Sequence, residues 1–255
     1  MSRVPPGRSK LTLAALVLAA IVAVGLWSQW GALFGASGPV KEPPPDAGPP
    51  STQKGEPPPR PSTREGDQLL QSLAPSWRAS PDLLKWLSSD DIIRRLVTAV
   101  ILVAQGRSPR VALPFLQIDG YFKPKSPDRL TIDPESFDRY TPLVRTFTSI
   151  DAKAAGAAYS RFRPYFEAAF DEGAAPGERF EDTLNKAIDN ILRAKIPHGP
   201  ITLVPKGAIY LFADPRLESS SAVEKHMIRI GPDHAKAIQD FVRQFATSAG
   251  VRAAP

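Results

Sequence analysis

The sequence predicts a mainly α protein in three parts: an N-terminal transmembrane helix, a disordered Pro-rich linker, and a helical globular domain with a small β-hairpin. Three observations carry that prediction. Residues 11–34 contain no charged side chain. Ten of the 28 prolines fall between Pro39 and Pro61. Beyond residue 67, apolar side chains recur at three- and four-residue spacing, interrupted by one adjacent pair of β-rich runs.

About 20 apolar residues in a helix span a hydrocarbon core of ~30 Å, so the run from Leu11 to Phe34 suffices as a membrane anchor. Arg3, Arg8 and Lys10 precede it, and Trp27 and Trp30 lie near its far end. Basic residues stay on the cytoplasmic side and tryptophan favours the interface, so the N-terminus is expected inside and the domain outside. The competing reading is a cleaved signal peptide. Its apolar core would be shorter, about 7–15 residues, and Gly35, Ala36, Ser37 and Gly38 offer only a weak cleavage site. Lipoprotein acylation is excluded, because the chain has no cysteine. Ala15, Ala19 and Ala23 repeat at four-residue spacing, which permits close approach of another membrane helix.

Residues 38–66 mix Pro, Gly, Ser, Thr and isolated charges without apolar periodicity. Such a stretch cannot bury enough surface to fold, and at ~3.1 Å per residue it reaches on the order of 90 Å. The expected parts are a cytoplasmic basic segment at 1–10, the transmembrane helix at 11–34, the linker at 35–66, the helical domain at 67–250 and a disordered tail at 251–255.

Within the domain, 67–73 is a short amphipathic start. Ser80-Pro81-Asp82 supplies a capping hydroxyl, a first-turn proline and an acid at the positive end of a helix dipole. A second helix is expected over 90–105, with Ile92, Ile93, Leu96, Val97, Val100 and Ile101 on one stripe and Gly106 as its stop. Four prolines keep 108–133 irregular, with one short strand at 130–132. Short helices follow at 133–140 and 141–150. The pattern over 151–171 is helical but contains Pro164, which predicts a kink near 160–164 or two abutting helices. A helix around Phe180, Leu184, Ile188 and Ile191 comes next. Residues 201–204 and 208–212 read as a hairpin turning at Pro205-Lys206-Gly207. Asp214-Pro215 starts a turn, and the last helices, 221–229 and 232–248, are divided by Gly231-Pro232. Two strands cannot build a core alone, so the hairpin must pack on helices.

About 185 residues are enough to bury roughly 70% of the unfolded surface without a metal or disulfide. The formal charge of +6 suggests nucleic acid, but residues 67–255 carry 25 Lys/Arg against 22 Asp/Glu, well mixed along the chain. No basic stripe interleaved with aromatics appears, so no nucleic-acid partner is expected.

Several short strings resemble one family. They are WL at 86–87, DIIRR at 91–95, GRSPR at 106–110, LPFL at 113–116, IDP at 132–134, RY at 139–140 and PLV at 142–144. RPY at 163–165, LVPKG at 203–207, FADPRLE at 212–218, KH at 225–226 and GP at 231–232 complete the set. Together they resemble a bacterial envelope family known as domain of unknown function 3014, over most of 67–247. The resemblance implies the same layout of anchor, proline-rich tether and helical domain, in the bacterial inner membrane with the domain periplasmic. It brings no activity, substrate or cofactor.

The residues point to little chemistry of their own. The absence of cysteine excludes thiolate nucleophiles and Cys-ligated metals. His198, His226 and His234 are never closer than eight positions, so no metal site and no cofactor are expected. Residues 67–250 hold no Gly-x-Ser-x-Gly elbow, no Ser-x-x-Lys pair and no phosphate-cradling loop. Ser221 and Glu224 fit a helix capping box. Asp133, Glu135, Asp214, Glu218 and Glu224 are the acids available to a glycan-cleaving mechanism, which needs defined carboxyl spacing. The densest polar cluster runs from Lys206 to Arg216. If the hairpin folds onto the next helix, Lys206, Asp214, Arg216 and His226 share a partner-binding rim; otherwise Asp214 and Arg216 pin the turn by capping and ion pairing. The expected function is a non-catalytic binding or scaffold module of the envelope, whose partners are the membrane and an envelope protein or peptidoglycan. The alternative is an enzyme acting on peptidoglycan through a carboxylate acid.

Overall fold

The computed structural model describes residues 61–251, apart from 78–79, 114–117, 119–121, 126–129, 149–150 and 208. The transmembrane helix expected at 11–34 and the linker up to residue 60 lie outside the described residues. Among the described residues, no helix is long and apolar enough to cross a membrane.

Helix α1 (Thr63–Leu73) opens four residues ahead of the expected start. Ser62 Oγ accepts from the Glu65 amide (3.2 Å) while the Glu65 carboxylate accepts from the Ser62 amide (3.1 Å), a complete capping box. This seats Gly66 against Tyr165, where an added Cβ would lie 2.8 Å from the ring. Helix α2 (Pro81–Leu87) is capped by Ser80 as its sequence requires. Helix α3 (Ile92–Ala104) buries the expected stripe except Ile101, which is half-buried, and its start is unusual. Asp91 has a left-handed backbone (φ 53°) and caps nothing with its side chain. The cap comes from α1 instead: the Ile93 amide donates to Asp67 Oδ1 at 2.9 Å.

Two helices form the spine, α6 (Ala152–Asp171) and the last helix, α10 (Pro232–Ala249), which make the most extensive contact in the fold. At Gly156 an added Cβ would sit 2.5 Å from the Ser248 carbonyl carbon, so the backbones nearly touch. Helix α6 runs unbroken through Pro164, in place of two abutting helices. Pro164 and Ser160 lie on the exposed side, so the Ser160 carbonyl that proline leaves unbonded is open to solvent. Tyr159, Phe162, Phe166, Phe170, Phe180 and Phe245 pack between α6, α7 (Phe180–Leu192) and α10, with Phe166 and Phe180 centroids 5.7 Å apart. Side-chain amides serve the open helix ends. Asn190 donates to the carbonyls of Val103 (2.8 Å) and Ala104 (3.0 Å), and Gln239 to those of Ile191 (3.0 Å) and Ala194 (3.1 Å). After α10, Gly250 turns left-handed (φ 67°) and the buried Val251, placed in the tail by the sequence reading, donates to Ala246 O at 3.1 Å.

A second, smaller lobe is built from strands. Between α3 and α6 the chain contributes β1 (Pro124–Lys125), β2 (Thr131–Ile132), α4 (Glu135–Asp138) and α5 (Thr141–Thr148). The hairpin is β3 (Leu203–Lys206) and β4 (Ile209–Phe212), followed by α8 (Pro215–Glu218) and α9 (Ala222–Ile230). Strand β3 extends through Lys206, which pairs with Ile209, so the turn is two residues long with Gly207 at φ 62°. Lys206↔Ile209 is then the hydrogen-bonded closing pair, and Pro205 falls where the ladder requires no N–H. The two ribbons are stitched together. The Ile132 amide donates to Ile201 O (3.0 Å), the Leu203 amide to Leu130 O (2.7 Å), and Thr131 bridges Thr202. Ile132, Ile201, Leu203, Phe212 and Ile228 form the lobe's own core.

Candidate functional site

A cleft of about 1070 Å³ opens between the ribbons, α4 and the α9–α10 junction. That is at the upper end of ordinary ligand pockets, about 300–1,000 Å³. Its floor comes from strand pairing. Lys125 lies across from Thr131, and Thr131 across from Thr202, and cross-strand partners share a face. Phe137 and Asp138 of α4 line it, and the buried Ile228 and Ile230 of α9 lie behind its surface. The remaining side is the extended run that carries Ile196, Pro197 and Pro200.

The far end is set by Gly231. Its φ of 91° suits glycine, and an added Cβ would lie 2.6 Å from the Phe137 ring. Helix α10 therefore begins right against α4, bringing Asp233 and His234 to the cleft. His234 is held at both nitrogens. Nδ1 lies 2.9 Å from Ile230 O, which can only accept, so Nδ1 carries the proton. Nε2 lies 3.1 Å from Thr141 Oγ1 and shares a hydrogen bond with that hydroxyl. The ring is a strut between α10 and α5.

The structure does not assemble the polar rim expected from the sequence. His226 is only 5% exposed, and neither ring nitrogen has a hydrogen-bond partner. Burial, with Arg229 and Lys225 adding to it, lowers its pKa to about 3. Its position on the buried side of α9 follows from the Val223, Met227 and Ile230 stripe, which it shares. Asp214 Oδ1 accepts from the Arg216 amide at 2.8 Å, a helix cap. Both residues are exposed, as is Lys206, which sits at the turn end of the hairpin, three residue pairs from Leu203↔Phe212.

The group that does join hairpin and helix is Glu218. Its Oε2 accepts from the Phe212 amide (2.9 Å), and its Oε1 pairs with Lys225 Nζ (3.0 Å). Burial pushes this carboxyl up, but the Phe212 amide, Lys225 and Arg229 together hold it below its ordinary value. The Arg229 guanidinium covers the Phe212 ring at 4.9 Å.

The acids named for glycan chemistry lie outside the cleft. Asp133 accepts from the Glu135 amide (3.1 Å), and Glu224 from the Lys195 amide (3.1 Å). Ser221 caps α9 at the Glu224 amide, but Glu224 completes no reciprocal box because its carboxylate is turned to Lys195. Among the described residues, no group of three or more His, Asp or Glu could hold a metal ion.

A family model described as "Protein of unknown function (DUF3014)" matches residues 92–246. The chain belongs to that family. The DUF3014 match runs from α3 into α10 and takes in every residue that lines the cleft. No curated protein and no solved structure matches the chain.

Sequence reading missed the cleft residues Lys125, Asp138 and Asp233. The signal that pointed there was the proline punctuation, since Pro134, Pro197, Pro200 and Pro232 all line it.

Proposed function

We propose that this chain is a non-catalytic binding module of the bacterial envelope, and that the cleft takes an extended segment of an envelope protein. On this reading a helix at 11–34 holds it in the inner membrane, and the proline-rich tether carries the domain into the periplasm. One observation carries the binding role. The cleft has apolar walls with Lys125, Asp138 and Asp233 among its lining, while Asp133, Asp214, Glu218 and Glu224 are committed to backbone amides elsewhere. Apolar surface with a few placed charges suits recognition of a peptide segment. The uncharged run at 11–34, flanked by Arg8 and Lys10, supports the anchor.

The test is capture of a partner by the full chain from native membranes, comparing two double variants. Asp138→Lys with Asp233→Lys alters the cleft; Lys206→Glu with Arg216→Glu alters the hairpin surface. All four positions are exposed, so the fold is retained. Loss of a saturable partner with the cleft pair alone supports the reading. Loss with the hairpin pair alone moves the site to the hairpin, and release of soluble fragments from added peptidoglycan makes the protein an enzyme. The anchor is checked by alkaline washing, which leaves the intact chain in the membrane pellet and frees a chain lacking 11–34.

A further inference from the structure

We infer that the outer edge of β4 (Ile209–Phe212) is a self-association surface, to which the same edge of a second copy of this chain adds antiparallel about a two-fold axis at Tyr210. The inference stands apart from the reading of the cleft, because none of these four residues lines it.

The ladder decides which backbone groups face outward. With Lys206↔Ile209 as the hydrogen-bonded closing pair, Pro205↔Tyr210 and Leu203↔Phe212 are the pairs without bonds between them. The amides and carbonyls of Tyr210 and Phe212 therefore point away from β3. Two bonds agree with this assignment. The Leu203 amide turns away from β4 to Leu130 O (2.7 Å), and the Phe212 amide is taken by Glu218 Oε2 (2.9 Å). The strands run β1-β2-β3-β4 through the Thr131↔Thr202 bridge, so β4 is the last of them. The Tyr210 ring packs inward on Phe122 at 5.7 Å. Its amide and carbonyl have no hydrogen-bond partner among the described residues. An open N–H and C=O on a strand edge form a template for another strand.

Shape, charge and apolar contact select a second copy as that strand. The Glu218 carboxylate closes the edge two residues beyond Tyr210, and the hairpin turn closes it on the other side. An extended peptide of ordinary strand length, about five or six residues, runs into this clip. A second hairpin is equally short. Paired about Tyr210, its two-residue turn falls opposite Phe212, so neither clip has to move. That register sets the exposed Lys206, beside the turn, next to Glu218 of the second copy, and the two-fold axis repeats the contact. The run Ile209–Phe212 carries no charge, and Val204, Ile209 and Leu211 share the outer face of the hairpin. Val204 is 42% exposed, and Ile209 and Leu211 are half-buried. Ile209 then stands opposite Leu211 of the second copy, and one apolar strip crosses both chains. The contact is short, which makes the dimer weak and reversible.

The chain has no native cysteine, so disulfides report the register. Full-length Ile209→Cys and Leu211→Cys chains, with tags of different size, are oxidised mildly in detergent, alone and mixed. In this register positions 209 and 211 of different copies have Cα atoms about 4.5 Å apart, within disulfide reach. Like positions lie about 8 Å apart, beyond it. The mixed dimer is expected to form at least about fivefold faster than either like dimer. Lys206→Glu in both chains sets like charges side by side at Glu218 and should slow the mixed dimer about threefold or more. Lys206 is exposed, so the fold is retained. Equal rates for mixed and like dimers would show that the chains meet elsewhere, through residues 11–34 for instance, and would overturn the inference. So would the absence of any crosslinked dimer.

Discussion

The helical body and the strand lobe solve the same problem by different means. In the body, α6, α7 and α10 bury long stripes of Phe, Ile, Leu and Ala, and the glycine at 156 lets two backbones meet. Two half-buried side-chain amides, Asn190 and Gln239, serve its helix ends. The strands of the lobe bury few apolar residues of their own, Ile132, Ile201, Leu203 and Phe212 around Ile228, while α5 and α9 join the core of the body. One strand bridge links the two ribbons, and the Glu218 carboxylate ties the hairpin to α9. Stability is concentrated in the body, and a concave surface is left on the lobe. That division is common where a rigid frame positions a recognition surface.

Removing a body aromatic should break the comparison most severely. Phe166→Ala empties the space against Phe162 and Phe180 and is expected to cost about 3–5 kcal/mol. Thermal unfolding of the full chain should then shift by roughly 10 °C. A shift below about 2 °C would mean that the aromatic stack is not the source of stability.

Acid provides the next largest effect. The native pKa of His226, about 3, is below the ordinary 6.5, so the unfolded chain binds a proton that the folded chain refuses. Its contribution is complete above pH 6.5 and falls as pH drops from 6.5 toward 3, by about 1.4 kcal/mol per pH unit. His226→Leu removes a ring with two unpartnered nitrogens and should flatten that part of the stability–pH curve. An unchanged slope in the variant would show that His226 is not its cause.

Asp67→Ala, which uncaps α3 from a distance, is expected to cost about 1–2 kcal/mol by denaturant unfolding. Smallest in stability is the Asp138→Lys/Asp233→Lys pair at the cleft. Both side chains are exposed, so a change within about 0.5 kcal/mol is expected, with partner capture lost nonetheless. A large loss of stability there would make the lobe part of the structural frame.

The two regions also differed in how well they could be read from sequence. Body helices advertise themselves: Ser80-Pro81-Asp82 is a start signal, and the α3 stripe follows the 3.6-residue period. Pro164 misled because a proline on an exposed helix face can be tolerated, and exposure is a tertiary property. Ser62 was hidden among tether-like residues, although Ser-x-x-Glu at 62–65 is a capping box by composition. The lobe was mostly illegible. Strands β1 and β2 are two residues long, and β2 is fixed to the second ribbon by a long-range bond, Ile132 to Ile201, which no local period encodes. His226 was misplaced for another reason. Lys225 beside it drew it into a polar cluster, although its three- and four-residue spacing from Val223 and Ile230 already put it on the buried side of α9.

The central claim is that the lobe's cleft is the recognition surface, and site-specific photocrosslinking in cells tests it most directly. A photoreactive residue at Thr202, on the cleft floor, is compared with one at Arg216, exposed on α8 outside the cleft. The account expects a discrete crosslinked protein from position 202 that weakens when Asp138 and Asp233 are reversed, and none from 216. A partner crosslinked from 216 and absent from 202 would contradict it.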